Sequence, residues 1–135
     1  MIIAVDFDGI LCDNKFPDIG EPNYEMISLM RQLIDLGCEV VLWTSRVDNP
    51  LAEAVKWCED RGLHFAAIND NAPSNIEKYK AQFPNGTRKV YADVYIDDHN
   101  LEYAMSSVGE SAALVLIRRL IREIKRYKKE GQNDE

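Results

Sequence analysis

Ile2-Ile3-Ala4-Val5-Asp6-Phe7-Asp8-Gly9 opens the chain, an apolar run that stops at two carboxylates spaced Asp-X-Asp and a glycine. A run this short and this apolar reads as a strand buried on both faces, the kind that fills parallel sheets. Carboxylates gathered where such a strand ends lose hydration and repel one another, so they call for a cation or another positive charge. The plainer alternative is a strand running into a turn, with Asp8-Gly9 as ordinary turn residues.

Downstream, strand-like and helix-like segments alternate without repeats or low-complexity linkers, which predicts a Rossmann-like α/β fold: a parallel sheet with helices on both faces. The first strand is Ile2 to Asp6, followed by a Gly/Pro/Asn/Asp-rich loop from about Cys12 to Gly20. Pro22 suits a first helical turn, and Ile27, Met30, Leu33 and Ile34 recur at helical spacing until Gly37. A second strand spans Glu39 to Trp43. Asp48 can cap a second helix with Pro50 in its first turn and Gly62 at its end. Phe65 to Ile68 is a third strand. Ser74-Asn75-Ile76-Glu77 fits a capping box, so a third helix covers Ser74 to Gln82. Pro84-Asn85-Gly86 is a turn, and Val90 to Ile96 forms the fourth strand. Ala113, Ile117, Leu120, Ile121, Ile124 and Tyr127 predict an amphipathic helix from about Ser111 to Lys129 (110–130 at its widest), with 131–135 a disordered tail. Ala112 to Ile117 alone also reads as a short edge strand.

The 135 residues suit a single domain over 1–135, and 46% hydrophobic with 29% charged residues is the composition of a soluble globular protein. The net charge of −7 is uneven: residues 1–117 hold 9 basic and 19 acidic side chains, residues 118–135 hold 7 and 4. An acidic body disfavours nucleic acid as a partner and favours a divalent cation. No run approaches a membrane span and no basic segment follows Met1, so a cytoplasmic protein without signal peptide or membrane partner is expected. Cys12, Cys38 and Cys58 read as reduced thiols.

In open parallel sheets ligands bind beyond the carboxyl ends of the strands. Asp6 and Asp8 end the first strand, Thr44 and Ser45 the second, and Asp97 and Asp98 the fourth, with Lys89 just before it. At 4 Å and a near-surface dielectric each like-charge contact costs about 4 kcal/mol. Magnesium resolves that cost with one or two carboxylates, several waters and a substrate phosphate. With a hydroxyl and an ammonium beside it, this is a set for phosphoryl transfer.

Val5-Asp6-Phe7-Asp8-Gly9, Leu42-Trp43-Thr44-Ser45, Lys89 and Ile96-Asp97-Asp98 resemble the four motifs of the haloacid dehalogenase (HAD) superfamily, in the family's order over residues 1–100. The resemblance implies a magnesium-dependent phosphohydrolase that cleaves a phosphomonoester through an aspartyl-phosphate. Asp6 would be the nucleophile and Asp8 the general acid and then base. Thr44 would bond the phosphoryl group and Lys89 would neutralise it, with Lys78 and Lys80 as rival lysines. Asp6, the Asp8 backbone carbonyl and Asp98 would hold Mg2+, with Asp97 orienting a bound water or Lys89. Gly9, Ser45 and Arg46 complete the expected substrate contacts. Only 37 residues separate Asp6 from Thr44, which leaves no room for a cap domain and implies a small capless member. The substrate class is a small phosphorylated metabolite, nucleotides included, and a homo-oligomer is compatible with the sequence. The alternatives are a catalytically idle HAD-like scaffold and a receiver-like phosphorylation module.

Other residues carry plainer readings. Arg46 reads equally as a surface residue, His99 as a surface or supporting neighbour of the aspartates, and Trp43 and Trp57 as packing. Cys12 reads as a small loop residue. Asn69-Asp70-Asn71 reads as a turn into a helix or as a border of the pocket. The basic stretch Arg118 to Lys129 reads as a solvated helix face, with docking as its alternative.

Overall fold

The computed structural model describes residues 1–105 and 108–133. Its first strand, β1 (Ile2–Val5), is buried at every position. A hairpin follows, β2 (Cys12–Lys15) and β3 (Asp18–Pro22), then α1 (Tyr24–Asp35), β4 (Glu39–Leu42), α2 (Asp48–Glu59) and β5 (Ala67–Ile68). The chain closes with α3 (Pro73–Tyr79), β6 (Val94–Ile96), α4 (Leu101–Met105) and α5 (Gly109–Asn133). The main sheet is parallel with strand order β5-β4-β1-β6. β1 lies inside it, which is why its apolar run is unbroken.

Alternation along β1 and β4 divides the core. Ile3, Val5, Val40 and Leu42 face one side and pack with Phe7, Met26, Met30, Leu33, Ala54, Cys58, Ile117 and Ile121. Burying each large aliphatic chain there stabilises the fold by roughly 1.5–3 kcal/mol. Ile2, Ala4 and Val41 face the other side, against only Ala72, Val90 and Ala92, with Trp43, Ala67 and Tyr95 partly buried around them. The helices are thus unequally divided: α1, α2 and α5 cover the first face, while α3, with no buried residue of its own, leans over the second.

Local chemistry accounts for the helix ends. Asn23 caps α1, its side chain accepting from Met26 N at 3.1 Å. At the other end Gly37 adopts φ +90, and Cys38 N and Gly37 N bond back to Leu33 O and Ile34 O, a Schellman arrangement.

Several expected boundaries shift. The Cys12–Gly20 loop is a hairpin that also takes in Pro22, whose backbone lies in β3 and not in a helical turn. α2 includes Asp48, and Val47 stands at its N-cap position without a side-chain bond. α3 starts at Pro73; the Ser74 hydroxyl bonds the Glu39 carboxylate of β4, so the capping box does not form. The fourth strand is shorter than Val90 to Ile96, because Tyr95 Oη donates to Val90 O and accepts from Ala92 N, drawing residues 90–92 out of the ladder. Ala112 to Ile117 is helical, and α5 continues through Asn133, so 131–133 belong to the helix; Asp134 and Glu135 lie outside the described residues. Among the described residues no helix is long and apolar enough to cross a membrane. The three thiols are free and buried, and burial pushes Cys12 up to about 11 and Cys58 to about 12.

Candidate active site

The carboxyl ends of β1, β4 and β6 open onto a cavity of about 620 Å³ lined by Asp6, Asp8, Trp43, Thr44, Ser45, Arg46, Asp97 and His99, with Asn14 and Phe16 contributed by the hairpin. Asp6 is set at its edge by two backbone bonds: its N–H donates to Ile96 O at 2.9 Å, and its Oδ1 accepts from Phe7 N at 2.7 Å. Pairing of β1 with β6 therefore brings Asp6 beside Asp97 and Asp98, 91 and 92 positions away in sequence.

The cost of that proximity falls on Asp6. Burial pushes it up to about 7; the Phe7 N–H opposes the rise, while the charges of Asp97 and Asp98 and a hydrogen bond with Asp98 add to it. Asp98 is crowded too. Among the described residues its Oδ1 is buried without a hydrogen-bond partner, with His99 Nδ1 3.3 Å away. Its Oδ2 occupies the space where a Cβ on Gly9 would sit, 2.2 Å from that position, and Gly9 has φ +85. Glycine is thus required there for close approach and for backbone angle together. Asp97 Oδ1 accepts from His99 N at 2.8 Å. Ligand atoms of Asp97, Asp98 and His99 lie within 4.8 Å of one another. An orphaned carboxylate oxygen in an oxygen-rich set fits a hard divalent cation.

Asp8 is treated differently. Arg46 Nε and Nη2 grip its two oxygens at 2.8 Å each. The remaining guanidinium N–H groups donate to Pro17 O, Pro50 O and Asp18 O, so all five donors are used. Arg46 is only 2% exposed and lies over the rings of Phe7 and Phe16 at 5.0 and 5.1 Å. The hydrogen bond to Asp8 drives its proton affinity above the ordinary arginine value. The surface reading of Arg46 is overturned by this burial, and the substrate-contact reading by the lack of a spare donor. Its place is that of a brace tying Asp8 to the hairpin tip.

Thr44 N donates to Asn69 Oδ1 at 2.8 Å, and Thr44 Oγ1 accepts from Arg46 N at 3.1 Å, which leaves the hydroxyl proton free to be donated. Asn69, at the end of β5 with φ 50, is a support that the polar Asn69-Asp70-Asn71 run hinted at without specifying. Ser45 is exposed on the cavity wall. The lysine is where expectation and structure part. Neither Lys89, Lys78 nor Lys80 lines the acidic cavity. Lys89 Nζ stands 5.5 Å from the Tyr95 ring centroid and borders a different cavity, because the segment before β6 folds away from the ladder onto the thin face of the sheet.

No family model matches the chain, and no curated protein matches it. Among solved structures it is similar to one described as the structure of the conserved protein coded by locus from Bacteroides thetaiotaomicron, at 37% identity and a TM-score of 0.65. The two chains belong to one family. The match covers 75% of this chain and 78% of the Bacteroides chain.

Proposed function

We propose that the chain is a magnesium-dependent phosphohydrolase of the HAD type that cleaves a small phosphomonoester through an aspartyl-phosphate on Asp6. The observation that carries this reading is the meeting of Asp6, Asp97 and Asp98 at the ends of β1 and β6, with the Asp98 Oδ1 left without a hydrogen-bond partner among the described residues. Asp6, Asp98 and the Asp8 backbone carbonyl would hold Mg2+, and Asp97 would orient a bound water. Bound there, the ion supplies charge neutralisation for the phosphoryl oxygens.

The chain's own residues then do the following. Asp6 presents a carboxylate oxygen to phosphorus, forming an O–P bond as the ester oxygen leaves. Thr44 donates its hydroxyl proton to a phosphoryl oxygen. Asp8 delivers a proton to the departing oxygen and later takes one from the water that cleaves the aspartyl-phosphate. Phe16 and the hairpin tip, held by Arg46, form one wall of the cavity where a cap would otherwise stand.

Two features favour a second reading, an idle binding scaffold: Lys89 stands off the cavity, and both Asp8 oxygens are engaged by Arg46. Hydrolysis of 4-nitrophenyl phosphate with magnesium separates them. The enzyme turns over, and Asp6→Asn lowers kcat by at least about a thousandfold. Turnover that survives Asp6→Asn overturns the nucleophile assignment. Magnesium-dependent stabilisation without any turnover leaves the scaffold.

A further inference from the structure

The thin face of the sheet carries a second cavity, of about 650 Å³, that shares no lining residue with the acidic one. Four rings meet there: Tyr79, Phe83, Tyr91 and Tyr95. Phe83 is 50% exposed and Tyr91 47%, apolar area that folding has left in water. The cavity is built, not a gap between loops. Asn71, 5% exposed, donates Nδ2 to Thr87 Oγ1 at 3.1 Å and accepts from Tyr91 N at 2.8 Å, clamping the 84–91 segment against the end of β5.

Its lining carries two cations, Lys80 and Lys89, and one carboxylate, Asp70, in a chain of net charge −7. Lys80 pairs with Glu77, whereas Lys89 has no carboxylate partner among the described residues. Lys89 instead holds its ammonium over the Tyr95 ring. Stacking rings, the Lys89 ammonium and the amides of Asn75 and Asn85 suit a ligand with a flat base, polar edge atoms and an anionic group. The volume falls within the range of small-ligand sites.

We infer that this second cavity is a nucleotide-binding site, the base stacking among Tyr79, Phe83 and Tyr91 and the phosphate meeting Lys89. The inference does not depend on chemistry at Asp6. The shared chemistry is a base joined to a phosphate, which a free mononucleotide and an oligonucleotide end both supply.

The test titrates the intact protein, in EDTA, with adenosine monophosphate, adenosine, ribose 5-phosphate and an eight-residue oligothymidylate, reading backbone amide shifts. Adenosine monophosphate moves amides within 71–95, and adenosine and ribose 5-phosphate each bind about tenfold more weakly. Phe83→Ala and Lys89→Gln, both at exposed side chains, each weaken binding about tenfold, while Asp6→Asn leaves it unchanged. Tighter, salt-sensitive binding of the oligomer assigns the site to a strand end, and equal or weaker binding assigns it to free nucleotide. No shifts at about 5 mM ligand, shifts centred on Asp6 and Asp97, or binding indifferent to both variants overturns the proposal. Because the titration contains no divalent ion, its failure leaves the hydrolase reading standing, and loss of turnover leaves this site standing.

Discussion

Two carboxylates of one Asp-X-Asp pair meet opposite fates. Asp8 is answered from within the chain, by a buried guanidinium that spends every donor on it and on three carbonyls. Asp6 is answered by one backbone N–H, from Phe7, and among the described residues by no cation: its neighbours are two more acids, one with a buried oxygen that lacks a hydrogen-bond partner there. The first arrangement is complete as it stands and resists change. The second is incomplete and has room for a charge from outside. A site that stored its own cation at both positions would have nothing left to bind.

The internally balanced half is the easier to break. Arg46→Met strands the Asp8 carboxylate and frees the hairpin tip, and about 3 kcal/mol of stability is lost in urea unfolding. Adding Asp8→Leu restores part of that loss; an equal or greater loss in the double variant would show that the pair is not the source. At the unbalanced half, Gly9→Ala pushes a Cβ into Asp98 and places alanine at φ +85. It costs about 2 kcal/mol and removes the stabilisation by magnesium; retained magnesium stabilisation in this variant breaks the proposed link between Gly9 and the metal position.

Protonation sharpens the contrast. Asp6 is raised from 3.8 to about 7 in the fold. Stability from such a shift is complete below the unfolded value and is lost as pH rises through about 7. The metal-free protein therefore melts about 2 °C lower at pH 8 than at pH 5, the effect being reduced by water around this part-exposed group. Magnesium raises the midpoint more at pH 8. A midpoint that climbs across this window contradicts the crowding. The smallest effect calibrates the rest: Lys56 and Asp60 form an ion pair with side chains 75% and 57% exposed. Lys56→Ala changes stability by less than about 0.5 kcal/mol, and a cost near that of Arg46→Met would mean that burial is not what separates these pairs.

What the sequence disclosed follows from range. β1, β4 and the positions of Asp6, Thr44, Asp97 and Asp98 at strand ends were legible because apolar runs stopping at polar residues are local signals. The hairpin was not, since β2 buries only Cys12 and its other residues are polar, without the alternation that marks a strand. Arg46 resembled a surface residue because, Pro50 O apart, the hydrogen-bond partners that justify its burial lie 28 to 38 positions away. Lys89 was misplaced for a similar reason: the Tyr95 hydroxyl that folds residues 90–92 back cannot be read from the strand-like pattern Val90 to Ile96.

The pairing of β1 with β6 has a consequence for how the molecule comes together. A growing chain that ends near Asp93 already possesses β1, β4 and β5, yet holds Asp6 without Asp97 and Asp98. Mutual repulsion therefore enters only when the last strand docks, on the edge of a ribbon otherwise finished. Any cation bound only after that strand has docked would link its capture to closure in a single equilibrium.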